Sequence, residues 1–458
     1  MKDLTQGSVT RHLLHMASFM AVSMLVQTLY LLADLYWVGS LGKEAIAAVG
    51  LSGNLMMIVL ALTQALGVGT TTLISQATGR KDQPRAELAF NQSFVLSLLV
   101  GMALCVCSFA LRDQYCQWLS ADATTAALAR SYLLWFIPGL MMQFPLVALG
   151  SALRATGIMK PTVAIQAFTV VINMVLAPLL IFGIGFPKLG VAGAALATFV
   201  SVVIANLLMI IYYVRNYHYL RFRLSLLKPH VTTWWAMLRV GLPAGGEFAL
   251  MAIYIVVVYG IIRHFGAAAQ AGFGVGARVM QAMFLPVVAI AFAVAPVVGQ
   301  NFGGRRGDRV RSSYYSALGI TSVTMLLLTI ASQFAGEIFI RLFSRDTGVI
   351  AFGSEYLRII SLNFVAMGIV FTSSSVFQGI GNTLPPLVSS MTRLLLFVLP
   401  ATLLSRMPGF QIRYVWYLSV VSILFQACVN LLLLRREFRR KLTFDEPAGV
   451  TGGQAALP

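Results

Sequence analysis

Twelve apolar stretches follow one another along this chain of 458 residues, near 14–39, 46–76, 88–111, 127–150, 160–185, 190–214, 236–262, 270–300, 312–334, 349–379, 384–404 and 411–436, each bounded by Gly, Pro or charge. About twenty mostly apolar residues span the hydrocarbon of a bilayer as a helix, and a helix satisfies its own backbone there. The expected class is therefore all-α, a polytopic membrane protein of about twelve transmembrane helices. With 58% hydrophobic and 10% charged residues, the chain has too little polar surface to wet a soluble protein of this size. The longest polar stretches, about Arg215 to Trp235 and the tail after Arg435, lack the apolar content of a separate soluble core.

A net charge of +18 would suggest an acidic partner in a soluble chain. Here it has a topological cause. With both ends on the cytoplasmic side, twenty-one of the 33 Lys and Arg fall in inside segments and ten in outside loops, a two-to-one bias that a single missed helix would scramble. The expected location is a bacterial inner membrane, with both termini cytoplasmic. The N-terminal run MKDLTQGSVTRHLLHMASFMAV has no small-residue cleavage site, so the first apolar stretch is expected to be retained as a helix. Cys105, Cys107, Cys116 and Cys428 have neither metal-ligand spacing nor the pattern of a disulfide framework.

The halves repeat at an offset of 224 residues without a gap. Gly42 falls on Gly266, Gly50 on Gly274, Gln76 on Gln300, Gly79 on Gly303, Arg85 on Arg309, Gly157 on Gly381 and Pro161 on Pro385. The matches gather at segment ends, where SQATGRKD and GQNFGGRRGD each leave an even-numbered span. Six spans per half make two six-helix bundles, related by a pseudo-two-fold axis along the membrane normal with a cleft between them. The expected division is 1–225, 226–441 and a disordered cytoplasmic tail over 442–458.

Charged side chains at membrane depth cost on the order of 3 kcal/mol each by insertion scales and need a partner, a wet cavity or a function. Four remain once loops and ends are set aside: Asp34, Glu247, Arg278 and Arg393. Asp34, in LLADLYWVG near the outer end of the first span, sits where desolvation favours a protonated carboxyl, so it is the foremost candidate for proton or cation coupling. The plain alternative is an interfacial aspartate solvating a helix end. Glu247 follows GLPAG near mid-membrane, either as a second cation or proton site or as the partner of an arginine in a buried structural pair. Asn173 on the fifth span either hydrogen-bonds Asp34 or serves as interhelical glue. Tyr30, Arg278, Gln281 and Arg393 are the candidate substrate-cleft residues. The glycines of GVGTTT and GFGVGARV lie inside spans, without the strand-to-helix setting of a phosphate loop, and are close-packing or bending positions. No nucleophile, metal cluster or nucleotide loop points to an enzyme, and no cofactor is expected beyond H+ or Na+ as the coupling ion.

The run ADLYWVGSLGKEAIAAVGL, the exit SQATGRKD, the segment LRATGIMKPTVAIQAFTVVINMVLAPLLIFG, then GVAGAALAT, GLPAGGEFAL, GQNFGGRRGD and FQGIGNTLPP together resemble the multidrug and toxin extrusion family over about residues 10 to 440. The resemblance implies two six-helix bundles, a V-shaped cleft and antiport of organic cations or other toxic compounds against H+ or Na+. The family's aspartate in its D-x-x-x-V-G pattern matches Asp34, and its asparagine on the fifth span matches Asn173. Many members carry an acid one turn further on, where this chain has Ala177, which favours protonation of Asp34 over a coordinated Na+. The implied partners are a small, cationic and amphipathic substrate and membrane lipid, with the chain acting as a monomer and binding no nucleic acid. The competing reading is a flippase for a lipid-linked or polyprenyl-linked sugar, which needs a cationic cleft such as Arg278 and Arg393 would give. The apparent two-fold repeat, with single intramembrane acids and no ring of like residues, argues against a channel filter.

Overall fold

The computed structural model describes residues 1–443 apart from Ala121 and Phe186; the tail expected over 442–458 lies, from residue 444 on, outside the described residues. Side-chain oxygens start several of the helices, where the first N–H groups lack carbonyl partners. Ser8 opens α1 (Val9–Gly39), Asp82 opens α3 (Gln83–Leu119), Asp122 opens α4 (Ala123–Ala155) and Asp346 opens α10 (Thr347–Ile360), each accepting from the amide three residues on. The remaining helices are α2 (Lys43–Gly79), α5 (Lys160–Phe182), α6 (Val191–Arg215), α7 (Val231–Ile262), α8 (Ala267–Gly303), α9 (Gly307–Arg341), α11 (Phe364–Ile380), α12 (Leu384–Leu404) and α13 (Arg413–Lys441). There is no strand among the described residues. Twelve helices are long and apolar enough to cross a membrane; α10 and α11, joined through a 3-10 turn at Ser361–Asn363, make the tenth crossing. Several run past the lengths expected from hydropathy: α1 begins at Val9, α3 continues to Leu119 and α4 to Ala155, because polar residues near a helix end snorkel without breaking it.

Two lobes follow, each with its own apolar core, one built mainly from α1–α6 and one from α7–α13. They meet at one end only. In α2 the residues up to Leu60 keep just one face covered, whereas from Ala61 to Gly79 every residue is buried or half-buried. Its counterpart α8 does the same, turning fully inward from Val287 on. The lobes are thus pressed together at the end carrying the basic loops and splayed apart at the other.

The closed end is built as a reciprocal contact across the pseudo-two-fold. A Cβ on Gly79 would lie 1.9 Å from the carbonyl oxygen of Gln300, and a Cβ on Gly303 would lie 2.1 Å from that of Gln76, so only glycine lets the helices approach this closely. The glutamine side chains repeat the pattern: Gln76 donates to the Gly379 carbonyl and Gln300 to the Ala155 carbonyl, both at 2.9 Å. The loops beyond repeat it again, with Lys81 and Arg305 both in the left-handed region at φ 60° and 56°. All these pairs are 224 residues apart, so the sequence repeat is the interface.

The N-terminal segment before α1 lies across this seam. Leu4 is fully buried, its N–H donates to Gln300 Oε1 and its carbonyl accepts from Asn301 Nδ2, while the Lys2 N–H donates to the Thr156 carbonyl of the first lobe. Arg306 reaches the Thr5 carbonyl at 2.8 Å. The opening turns of α1, from Val9 to Met20, then pack on α8 and α9 of the second lobe. Further along, α1 packs on α5 of the first, so one helix is gripped by both.

Candidate functional site

Beyond Met20 about half of α1 is exposed, and the covered residues include Ser23, Val26, Tyr30, Asp34 and Trp37, spaced three or four apart and therefore on one face. That face lies against α5 and α6: Ser23 donates to Gln166, Trp37 packs edge-on against Phe182 at 6.2 Å, and Tyr30 Oη meets Thr198 Oγ1 at 2.9 Å. Asp34 is one turn beyond Tyr30 on the same face of α1. Its carboxylate thus looks into the first lobe and not across to the second. Its Oδ1 is buried with no hydrogen-bond partner, and no cationic side chain pairs with it among the described residues. A bare, buried carboxylate oxygen is costly unless a proton, water or ligand reaches it.

Of the two roles open to Asn173, the bond to Asp34 is not formed. Although α1 and α5 are neighbours, the Asn173 amide points to Thr198 Oγ1 at 3.5 Å, and Thr198 links it to Tyr30. Asn173 therefore reaches the site indirectly, through a polar chain that locks α1, α5 and α6 together. Ala177, one turn further, is fully buried, so no oxygen is supplied there.

Glu247 stands at the middle of α7 and, among the described residues, accepts from a single donor, Ser374 Oγ on α11, which reaches its two oxygens at 2.9 and 2.8 Å. The alternative of a buried ion pair with an arginine is not realised: Arg393 on α12 instead spreads its guanidinium over the Tyr254 ring at 5.3 Å, and its Nε is buried without a partner. Arginine's planar, weakly hydrated head favours such stacking. Arg278 and Gln281 are exposed on the splayed half of α8, without hydrogen bonds or ion pairs among the described residues.

Sequence reasoning missed Arg154, which stands among the basic-loop residues when α4 is ended at 150. In the structure it is within α4, donates to Ser151, contacts Met20 Sδ and stacks over Phe292 of the second lobe at 5.4 Å. The signal was the absence of any breaker before Gly157, whose φ of +76° ends the turn.

The MatE family model matches residues 20–179 and again 243–403, one match per half of the chain. Among curated proteins the chain is similar to an FAD transporter of Shewanella oneidensis, 26% identical over 87% of this chain and 89% of that protein. It is also similar to the probable multidrug resistance protein YpnP of Bacillus subtilis, at 28% over 85% and 86%, and to the multidrug export protein MepA of Staphylococcus haemolyticus, at 27% over 82% and 83%. Among solved structures, an outward-facing multidrug resistance MATE transporter of the MOP superfamily superposes with a TM-score of 0.88, 26% identity and coverage of 96% of this chain and 98% of that one.

Proposed function

Because this chain belongs to the MATE family of transporters and is no enzyme, we propose that it is a secondary active antiporter exporting organic cations, drugs or other toxic small molecules in exchange for H+. It is a multi-pass membrane protein acting on small molecules; the bacterial inner membrane, cytoplasmic termini and action as a monomer are part of the proposal. The observation that carries it is Asp34, a carboxyl with a bare buried oxygen on the helix that both lobes grip.

The splayed state suits release of substrate on the side away from the basic loops. A proton arriving from that side binds the bare Asp34 oxygen and changes how the outer half of α1 seats on α5 and α6. Since the start of α1 packs on α8 and α9, that change reaches the closed end, where it biases the opposite opening. A coupling ion moves the equilibrium only by its difference in affinity for the two states. Ala177, where many family members have an acid, leaves too few oxygens for a coordinated Na+ and favours H+.

A second reading takes a phosphate-bearing substrate, as a lipid-linked sugar or polyprenyl-linked sugar would be. The unpaired Arg393 Nε favours it, and one relative is named an FAD transporter.

The test is ethidium or dye efflux from inverted vesicles under separately imposed pH and Na+ gradients, with FAD and a lipid-linked sugar offered in parallel. The proposal expects export driven by the pH gradient alone. Export indifferent to that gradient, or transport of only the phosphate-bearing compounds, would count against it.

A further inference from the structure

On the face that carries the basic loops, a cavity of about 780 Å³ lies over the seam between the lobes. Both lobes supply its wall. Arg80 and Lys81 come from the loop after α2 and Arg305 and Arg306 from the loop after α8, while Thr5 of the N-terminal segment and Thr443 beyond α13 add hydroxyl groups. Cavities that hold small molecules have volumes of this order. A basic excess on this face follows from topology alone, but topology sets only how many cations each loop carries, and not that four of them line one cavity.

Among the described residues no acid lies within salt-bridge distance of any of these four cations, and of their side chains only Arg306 makes a hydrogen bond, to the Thr5 carbonyl at 2.8 Å. The acids nearby in the chain are otherwise engaged. Asp3 accepts from the Thr5 N–H and hydroxyl at 2.8 and 2.6 Å, Asp82 accepts from the Arg85 N–H at 3.1 Å, and Asp308 stands in the first turn of α9, where the helix N-terminus favours a carboxylate. The backbone adds to the pattern. Lys81 and Arg305 occupy the left-handed position just past each helix end, with the next N–H reaching back to the carbonyls of Ala77 and Asn301. Glycine is the usual occupant of that position because it has no Cβ. This chain places a cation there in both halves. Closing the seam therefore brings two cations of one lobe up against two of the other, a repulsion that fades as the lobes part.

We propose that this cavity binds a soluble phosphate-bearing anion, between pyrophosphate and a nucleotide in size, and that the bound anion holds the basic end shut. Arginine and lysine are the side chains that recognise phosphate, by paired N–H groups and by point charge. The wall is drawn from the two seam loops, the N-terminal segment and the end of α13, so the site lies over the junction of the lobes and not on a lipid-facing flank; its occupant comes from solution and is not a lipid headgroup. Because each lobe brings half of the cations, the complete site exists only while the lobes meet. The anion therefore binds the closed basic end more tightly than the open one and shifts the equilibrium by that difference. The site goes beyond the export function proposed above and is independent of which ion drives it.

The test titrates the full chain, in nanodiscs of phosphatidylcholine, with inorganic pyrophosphate at constant ionic strength. Binding is expected, and the double variant Lys81→Gly/Arg305→Gly should weaken it at least tenfold with the unfolding temperature unchanged or raised, because glycine suits both backbone positions. The hold on the seam is read at Ser75, which is fully buried against Gly299 of the second lobe and does not line the cavity. Thiol modification of Ser75→Cys, in a chain whose four native cysteines are replaced by alanine, should slow at least fivefold with pyrophosphate and not respond in the glycine variant. No binding to the unaltered chain, equal binding to the glycine variant, or binding that leaves Ser75→Cys modification unchanged would each overturn the proposal. If pyrophosphate binds only after Asp445→Asn/Glu446→Gln, which removes the acids that follow Thr443 in the sequence, the chain's own tail is the occupant and the soluble anion is wrong. If pyrophosphate does nothing but phosphatidylglycerol in the nanodisc slows the modification, the occupant is a lipid headgroup and the proposal fails likewise. None of these readings involves transport, so they stand apart from the fate of the H+ antiport.

Discussion

Asp34 is expected to matter through its charge state and not its bulk. Asp34→Asn keeps the shape, supplies a permanent neutral mimic of the protonated acid, and should abolish gradient-driven efflux while leaving substrate binding within about threefold, as read by dye-binding titration. Thr198→Val should act differently, removing the link between Tyr30 and Asn173 for about 1 kcal/mol of stability and a partial loss of transport. Thermal unfolding and efflux measured together separate the two effects. Asp34 was legible in the sequence because a carboxylate in an apolar run is an anomaly that sterics and hydropathy cannot absorb. The groups around the two acids were not: Thr198, which holds Tyr30 beside Asp34, and Ser374, which donates to Glu247, are ordinary residues in membrane helices, and what singles them out is only which helix each faces. Arg154 escaped because a few residues' error in a helix end turns a seam residue into a loop residue.

Among the helices, α2 and α8 show most directly why the halves of this chain repeat. Gln300 makes two bonds across the seam, accepting from Leu4 and donating to Ala155, where Gln76 makes one to Gly379. At about 1 kcal/mol per bond, Gln300→Leu should shift the balance away from the closed basic end roughly thirtyfold and Gln76→Leu roughly fivefold. Spin-label distances between the two lobes at that end would read this, and equal effects from the two variants would contradict the asymmetry. Gly79→Ala should be harsher than either, since its Cβ has backbone and not a movable side chain in the way. The number of spans, their order and the repeat were readable from hydropathy, charge and glycine placement. The break at Ser361–Asn363 was not, because no Pro or Gly marks it and the turn is fixed by what the helices pack against.

At the level of the whole molecule, two lobes hinge on a seam whose strap is the N-terminal segment. Deleting residues 1–7 removes the buried Leu4 and the bonds to Gln300, Asn301, Arg306 and Thr156, and should favour opening at the basic end, seen as faster labelling of the buried position 78 in Thr78→Cys. The Asp3 carboxyl of the strap should not respond to pH near neutrality. Burial pushes the Asp3 carboxyl up, but the Thr5 hydroxyl and amide, with Arg306 and Lys81, hold it below its ordinary 3.8. Its contribution is thus present above that value and fades only as pH falls further below it.

The most direct test of proton coupling at Asp34 is proton release. Purified protein in weakly buffered detergent solution, with a pH-indicator dye, is mixed with a transported cation. Stoichiometric release from the unaltered chain, lost in Asp34→Asn while the cation still binds, is the expected result. Binding without release from the unaltered chain, or undiminished release from Asp34→Asn, would contradict it.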